Sequence, residues 1–263
     1  ITNDVNVALI AEKYGVDRIW IDLETLGKEE RQKNMDSVKS NHSIEDIKRI
    51  APLLTKSEML VRINPININS ENEINTVIDA GADIIMLPMW KSVDDVNTFL
   101  SIVDGRVKTT LLLETKEAVE CLDEIHIVLN DLHLSYNLSF MFELLSNGTV
   151  EKLCKKIAAK GIPYGFGGIA KLGEGILPAE RIIMEHFKYS STRAILSRSF
   201  CNYKKINDIK KVEYIFSSNM KILKNFEKSL EYKTEEEFIN NSNEVQRLVE
   251  QIVKHRRNCN GIK

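Results

Sequence analysis

Short apolar runs alternate along the chain with longer stretches in which apolar residues recur at helical spacing. The runs are dense in Ile, Leu and Val and show little polar alternation, which is typical of parallel strands buried on both faces. Seven runs are predicted as strands: Arg18–Asp22, Met59–Ile63, Ile84–Leu87, Thr109–Leu113, Ile125–Leu129, Tyr164–Phe166 and Ala194–Leu196. Ile1-Thr2 has the character of the tail of a further strand that precedes them.

Helix boundaries fall between these runs. Ser70 and Glu73 have the spacing of a capping box, and Gly81 and Gly161 are placed as helix C-caps. Repeated strand–helix units indicate a parallel sheet, and eight strands would close it. We therefore predict a TIM (β/α)8 barrel with extra C-terminal helices, with an open doubly wound sheet as the structural alternative.

The last sixty residues differ from the rest in composition. They are rich in Lys, Glu and Asn and carry no strand pattern, and helices are predicted from Ile206 to about Leu230 and from Thr234 to about His255. We expect residues 1–203 to form the catalytic barrel without its complete first strand. Residues 204–263 would complete the barrel, and the segment Glu235–His255 would hold together a homo-oligomer.

Composition excludes several classes of partner. The chain has 263 residues, a net charge of −2 and a pI near 6.3, so it has no basic field to attract nucleic acid or anionic lipid. No apolar run reaches the roughly 20 residues of a membrane span. The four cysteines are scattered without C-x-x-C spacing, which indicates free thiols in a cytoplasmic protein. The chain starts at Ile1 rather than at a methionine, so we expect the natural N-terminus to precede it.

Candidate catalytic and metal-binding residues lie at the strand ends, which is where TIM barrels carry their catalytic groups. Glu114 and Asp131 follow adjacent predicted strands, and Arg62 ends an earlier one. Two carboxylates with open water positions suit Mg²⁺ or Mn²⁺, and the planar guanidinium suits a substrate carboxylate. Together they predict a site for a small-molecule 2-oxo acid whose enolate the metal would stabilise. The alternative is that the two acids cap the helices that follow them.

Several segments occur in the order found in one known family. They are Gly15–Asp17 with Asp22–Glu24, Leu60–Asn64, Ala80–Met89, Leu113–Thr115 and Asn130–Leu132. From Val5 to Cys201 the chain resembles the HpcH/HpaI aldolase/citrate lyase family of the phosphoenolpyruvate/pyruvate barrel superfamily. The resemblance implies a metal-dependent carbon–carbon lyase that acts through a pyruvate-type enolate.

The resemblance also implies roles for individual residues. Glu114 and Asp131 match the metal ligands, and Arg62 matches the arginine that contacts the pyruvyl group. Asp22 and Glu24 match acids that hold metal-bound waters.

The proton-transfer machinery departs from the family pattern. Asp79 matches an aspartate that pairs with a catalytic histidine, but Thr25 stands where the aldolases have that histidine. The proton-transfer group would then be His42, His133 or a metal-bound water. The stretch between Glu114 and Asp131 is also shorter than is usual in the family.

Two further segments could bind an anion. Lys28 and Arg31 lie in a charged stretch after the first strand, and Gly167 and Gly168 lie in the run Gly165–Ala170. Clustered glycines let backbone N–H groups approach a phosphate, although a solvated loop and close packing explain the two segments equally well. These segments support a second hypothesis, a phosphoenolpyruvate-handling barrel. A third is a barrel without catalysis that serves as a binding or assembly subunit.

Overall fold

A computed structural model describes residues 1–27, 41–121, 128–129 and 138–260. The chain divides into two compact units. Unit 1 comprises Ile1–Leu112 and Asn207–Phe216, and unit 2 comprises Leu113–Ile206 and Ser217–Lys263.

Strands and helices alternate as the sequence predicts. The strands are β1 Arg18–Asp22, β2 Glu58–Arg62, β3 Ile84–Leu87, β4 Lys108–Leu113, β5 Val128–Leu129, β6 Gly165–Ile169 and β7 Arg193–Leu196. The helices are α1 Val5–Lys13, α2 Ile44–Ile50, α3 Ser70–Asp79, α4 Val93–Val103, α5 Lys116–Glu120, α6 Glu143–Ser146, α7 Thr149–Ala159, α8 Ala179–Lys188, α9 Ile209–Leu230 and α10 Glu235–Asn260, with 3-10 turns at Ala51–Leu53 and Tyr203–Lys205. Each of the seven predicted strands is present within a few residues of its expected bounds. Of the predicted strand Ile125–Leu129, residues 125–127 lie outside the described residues.

The sheet of unit 1 has two chemically different faces. Its strands are parallel and pair in chain order, with Asp22 opposite Arg62 and Arg62 opposite Met86. Ile21 and Val61 point to the other face and are fully buried. Because side chains alternate along a strand, the polar side chains at the carboxyl ends of β1 and β2 share one face.

The start of the chain lies alongside β1. The backbone N–H of Thr2 donates to the carbonyl of Trp20 at 3.2 Å. Ile1-Thr2 is not part of a strand in the structure, so the further strand that it was expected to end stays a prediction.

The helix boundaries confirm some capping predictions and correct one. Gly81 and Gly161 adopt left-handed φ values of 106° and 70° directly after helices, as expected. Ser70 does not form the predicted capping box with Glu73. Its hydroxyl accepts instead from the backbone N–H of Asn67 at 2.8 Å, and Ser70 is the first residue inside α3. The preceding loop supplies a competing donor, which the spacing could not reveal.

In unit 2, the long helix α10 packs on α6 and α8. Val245, Val249 and Val253 form its buried stripe, and the amide of Asn241 donates to Glu185 at 2.8 Å. The apolar face of Glu235–His255 is therefore used within unit 2. The homo-oligomer and the domain boundary at residue 203 stay predictions. Among the described residues, no helix is long and apolar enough to cross a membrane.

Candidate functional site

A buried ionic cluster lies at the carboxyl ends of β1 and β2. Arg62 donates from Nε and Nη2 to the two carboxylate oxygens of Asp22, both at 2.8 Å, and its Nη1 lies 3.3 Å from Glu24 Oε2. The three side chains are only 10%, 2% and 3% exposed. The guanidinium also lies 5.3 Å from the centre of the Trp20 ring. The fork that we expected to face a substrate carboxylate is thus filled by Asp22.

The loop after β1 is held by Asn64, a residue that the sequence analysis gave no role. Its side-chain oxygen accepts from the backbone N–H groups of Thr25 at 2.8 Å and Leu26 at 2.9 Å. Its side-chain nitrogen donates to Glu73 at 2.9 Å, and burial raises the pKa of that carboxyl. Asn64 therefore fixes the loop that carries Glu24. Its position directly after a predicted strand is the sequence feature that could have identified this role.

The two other candidate catalytic residues of unit 1 lie at opposite ends of the strands. His42 belongs to the cluster, because its Nδ1 accepts from the backbone N–H of Asp22 at 3.0 Å. Asp79 is exposed at the end of α3, on the side where β3 begins, and the cluster does not include it.

Only one of the two predicted metal ligands lies within the described residues. Glu114 is buried at the end of β4, and Asp131 lies outside the described residues. The cap of α5 is Thr115, whose hydroxyl accepts from the N–H of Ala118 at 3.0 Å. No group of three His, Cys, Asp or Glu side chains suited to a metal occurs in the parts of the chain that are described. The Mg²⁺ or Mn²⁺ site stays a prediction. His133, Lys28 and Arg31 also lie outside the described residues.

The glycine run forms an irregular strand, β6. Gly165 pairs with Arg193 and Gly168 with Ile195, so two residues of β6 oppose one residue of β7. Gly167 lies in this bulge with a left-handed φ of 61°. A Cβ on Gly168 would lie 3.4 Å from the Cβ of Ser197, so the β6 backbone and the end of β7 are in close contact.

A short turn follows β7 beside these glycines. The backbone N–H of Phe200 donates to the carbonyl of Ser197 at 2.9 Å, and Arg198 and Ser199 are exposed at the tip. Within the described ranges, the backbone N–H groups of Arg198 and Ser199 have no acceptor and the Arg198 guanidinium has no ion-pair partner. We call Gly167, Gly168 and Ser197–Ser199 the anion turn.

The buried histidine of unit 2 has a structural role. His186 stacks on Phe166 with ring centres 3.8 Å apart, and its Nδ1 lies 2.8 Å from the Ser191 hydroxyl. Burial lowers the pKa of His186 to about 3, against an opposing backbone hydrogen bond to Phe166. The ring therefore stays neutral at physiological pH and joins α8 to β6.

The comparisons with known proteins identify the fold. No protein-family model matches the chain, and no curated protein matches it. Tryptophan synthase from M. tuberculosis in its aminoacrylate-bound form matches with a TM-score of 0.55 and 11% identity, over 83% of this chain and 86% of that one. The tryptophan synthase alpha subunit of Legionella pneumophila matches with a TM-score of 0.56 and 12% identity, over 84% and 87%.

A third similar structure is an isomerase. Phosphoribosyl anthranilate isomerase, in complex with reduced 1-(o-carboxyphenylamino)-1-deoxyribulose 5-phosphate, matches with a TM-score of 0.52 and 13% identity, over 83% of this chain and 94% of that one. All three are TIM-barrel enzymes. The predicted TIM-barrel class with extra C-terminal helices is confirmed.

The same findings correct the family and the function that the sequence predicted. The assignment to the HpcH/HpaI family is wrong: no family model supports it, and the similar structures are tryptophan synthase alpha subunits and an isomerase. The metal-dependent lyase acting on a 2-oxo acid is wrong on the same findings, and neither the phosphoenolpyruvate enzyme nor the inactive subunit is favoured in its place. One physical reason is that the guanidinium of Arg62, which was predicted to bind the substrate carboxylate, already binds Asp22.

Proposed function

We propose that the chain is a TIM-barrel enzyme that acts on a phosphorylated small molecule and binds the phosphate at the anion turn. One observation carries this proposal. In the described part of unit 2, the turn after β7 presents two successive backbone N–H groups without acceptors and an arginine without an ion pair, next to the glycine backbone at the end of β6.

The chemistry of the anion turn suits a phosphate monoester. Successive backbone N–H groups make recurrent anion-binding elements, and a guanidinium can bind two phosphate oxygens at once. A hydrogen bond to a charged group contributes about 1.5–3 kcal/mol. Gly168 has no side chain and Ser197 has a short one, so neither places a bulky group beside the turn.

Two further facts support the proposal. In TIM barrels, phosphate sites are frequently formed by the loops after the last two strands, and β6 and β7 are the last two strands here. The isomerase among the similar structures holds a ligand that is itself a sugar phosphate.

A matched pair of ligands tests the proposal. Ribose 5-phosphate should raise the melting temperature of the protein by binding the native state, whereas ribose should not. The variant Arg198→Met should lose most of the shift, because the guanidinium supplies the fixed positive charge. Lys204→Met, which removes a nearby exposed lysine outside the turn, is the control.

Two outcomes would contradict the proposal. One is an equal response to ribose and ribose 5-phosphate. The other is a phosphate-specific response that Arg198→Met leaves intact, since the phosphate would then bind elsewhere.

A further inference from the structure

The loop after β6 contains a second cation, which is held by a neighbouring acid. Lys171 follows Gly168 by three residues, and its Nζ lies 2.7 Å from Glu174 Oε1. The two side chains are 34% and 48% exposed. Exposed ion pairs of this kind contribute about 0–1 kcal/mol, so another anion can displace Glu174 at little cost.

The loop that carries Lys171 begins beside the anion turn. The backbone N–H of Ser197 donates to the carbonyl of Ile169 at 2.9 Å, and Lys171 follows Ile169 by two residues. The positive charge of Lys171 also opposes the rise that burial causes in the pKa of the Cys201 thiol.

We propose that Lys171 is a second phosphate-binding residue of the anion turn and that it exchanges its partner, leaving Glu174 when a phosphate binds. This proposal rests on the proposed function. In the free protein, Glu174 holds the lysine within the loop, where the carbonyl of Lys171 also accepts the N–H of Glu174 at 3.1 Å. In the bound protein, the phosphate takes the place of the carboxylate.

The exchange gives Glu174 a defined function. It competes with the ligand for one lysine, so it lowers the affinity for weakly charged anions more than for a phosphate dianion. Arg198, which has no ion pair in the described chain, would give the first contact, and Lys171 would add the second charge.

Inorganic phosphate is the probe for this inference, with binding measured by titration of the intact chain. Lys171→Met should weaken binding about fivefold, the loss expected for one exposed charged contact. Glu174→Gln should tighten binding roughly threefold, because the competitor is gone. The double variant should bind as weakly as Lys171→Met alone. Glu151→Gln breaks a comparable exposed pair with Lys155 at 2.6 Å and should change nothing.

The outcomes separate this inference from the proposed function. If the unaltered protein does not bind phosphate, or if Arg198→Met binds it equally well, the proposed function fails and this inference fails with it. If phosphate binding depends on Arg198 but not on Lys171, only this inference fails. If Glu174→Gln tightens binding even when Lys171 is absent, the effect is simple repulsion, and the exchange is refuted.

Discussion

Removal of the Arg62 side chain should destabilise the protein strongly. In Arg62→Met the carboxylates of Asp22 and Glu24 lose a cation that is bonded to both, and both acids are almost completely buried. Removing one partner of a buried ion pair costs about 3–5 kcal/mol, because a charge remains in a medium that solvates it poorly. At about 2–4 °C per kcal/mol for a chain of this size, the melting temperature should fall by about 10 °C.

A pair of the same residue types with an exposed arginine provides the control. Arg49 lies 2.6 Å from Asp46, closer than Arg62 lies to Asp22, but the Arg49 side chain is 55% exposed. The Asp46 carboxylate is 10% exposed and keeps hydrogen bonds from Asn3 and Ser43 when the arginine is removed. Arg49→Met should therefore cost less than about 1 kcal/mol. Urea unfolding followed by circular dichroism measures both variants. If the free energies of unfolding of the two variants differ by less than about 1 kcal/mol, burial does not explain the contribution of the Arg62 pair to stability, and the reasoning fails.

Two more predictions concern stability. Gly165→Ala should disrupt the pairing of β6 and β7, because a Cβ would lie 2.1 Å from the carbonyl oxygen of Arg193. The control is Gly105→Ala, whose Cβ would meet nothing and which should lower the free energy of unfolding by only about 1 kcal/mol. Equal melting temperatures for the two variants would contradict this prediction. Burial tends to raise the pKa of Glu12, but backbone N–H bonds from residues 55–57 at 2.7–2.8 Å outweigh it and lower that pKa. The stabilisation by Glu12 should therefore be complete above pH of about 4.3 and be lost as the pH falls through the lower folded pKa. Thermal melts of Glu12→Gln and the unaltered protein should converge in acid, and a gap that widens there would refute the assignment.

The sequence predicted the strands well because buried parallel strands have a distinctive composition. The sequence also predicted that Asp22 and Arg62 lie close together, since each ends one of two neighbouring strands. It could not show that they bond to each other rather than to a ligand. That outcome depends on the register of Asp22 opposite Arg62 and on the depth of burial, and neither is encoded in a local pattern.

The wrong family assignment has a physical explanation in one of its motifs. Gly81 is required by its left-handed φ of 106° and by the 3.1 Å that would separate its Cβ from that of Ala51. Asp83 accepts the backbone N–H of Met59 at 2.7 Å. Within Ala80–Met89, these residues serve the packing of a strand–helix unit, so the motif reports the fold more than the chemistry. The turn at Arg198 carried no pattern that marks an anion site, because its unused N–H groups are visible only in the structure.

The most direct test of the account follows the backbone amides of the anion turn. Inorganic phosphate is titrated into the isotope-labelled protein, and the amide resonances of Arg198 and Ser199 are recorded by two-dimensional nitrogen–proton NMR. Phosphate binding should move both resonances downfield in a saturable way, because each amide gains a charged acceptor, and Gly168 should move with them. Saturable phosphate binding that leaves the Arg198 and Ser199 amides unmoved would contradict the proposal that this turn holds the substrate phosphate.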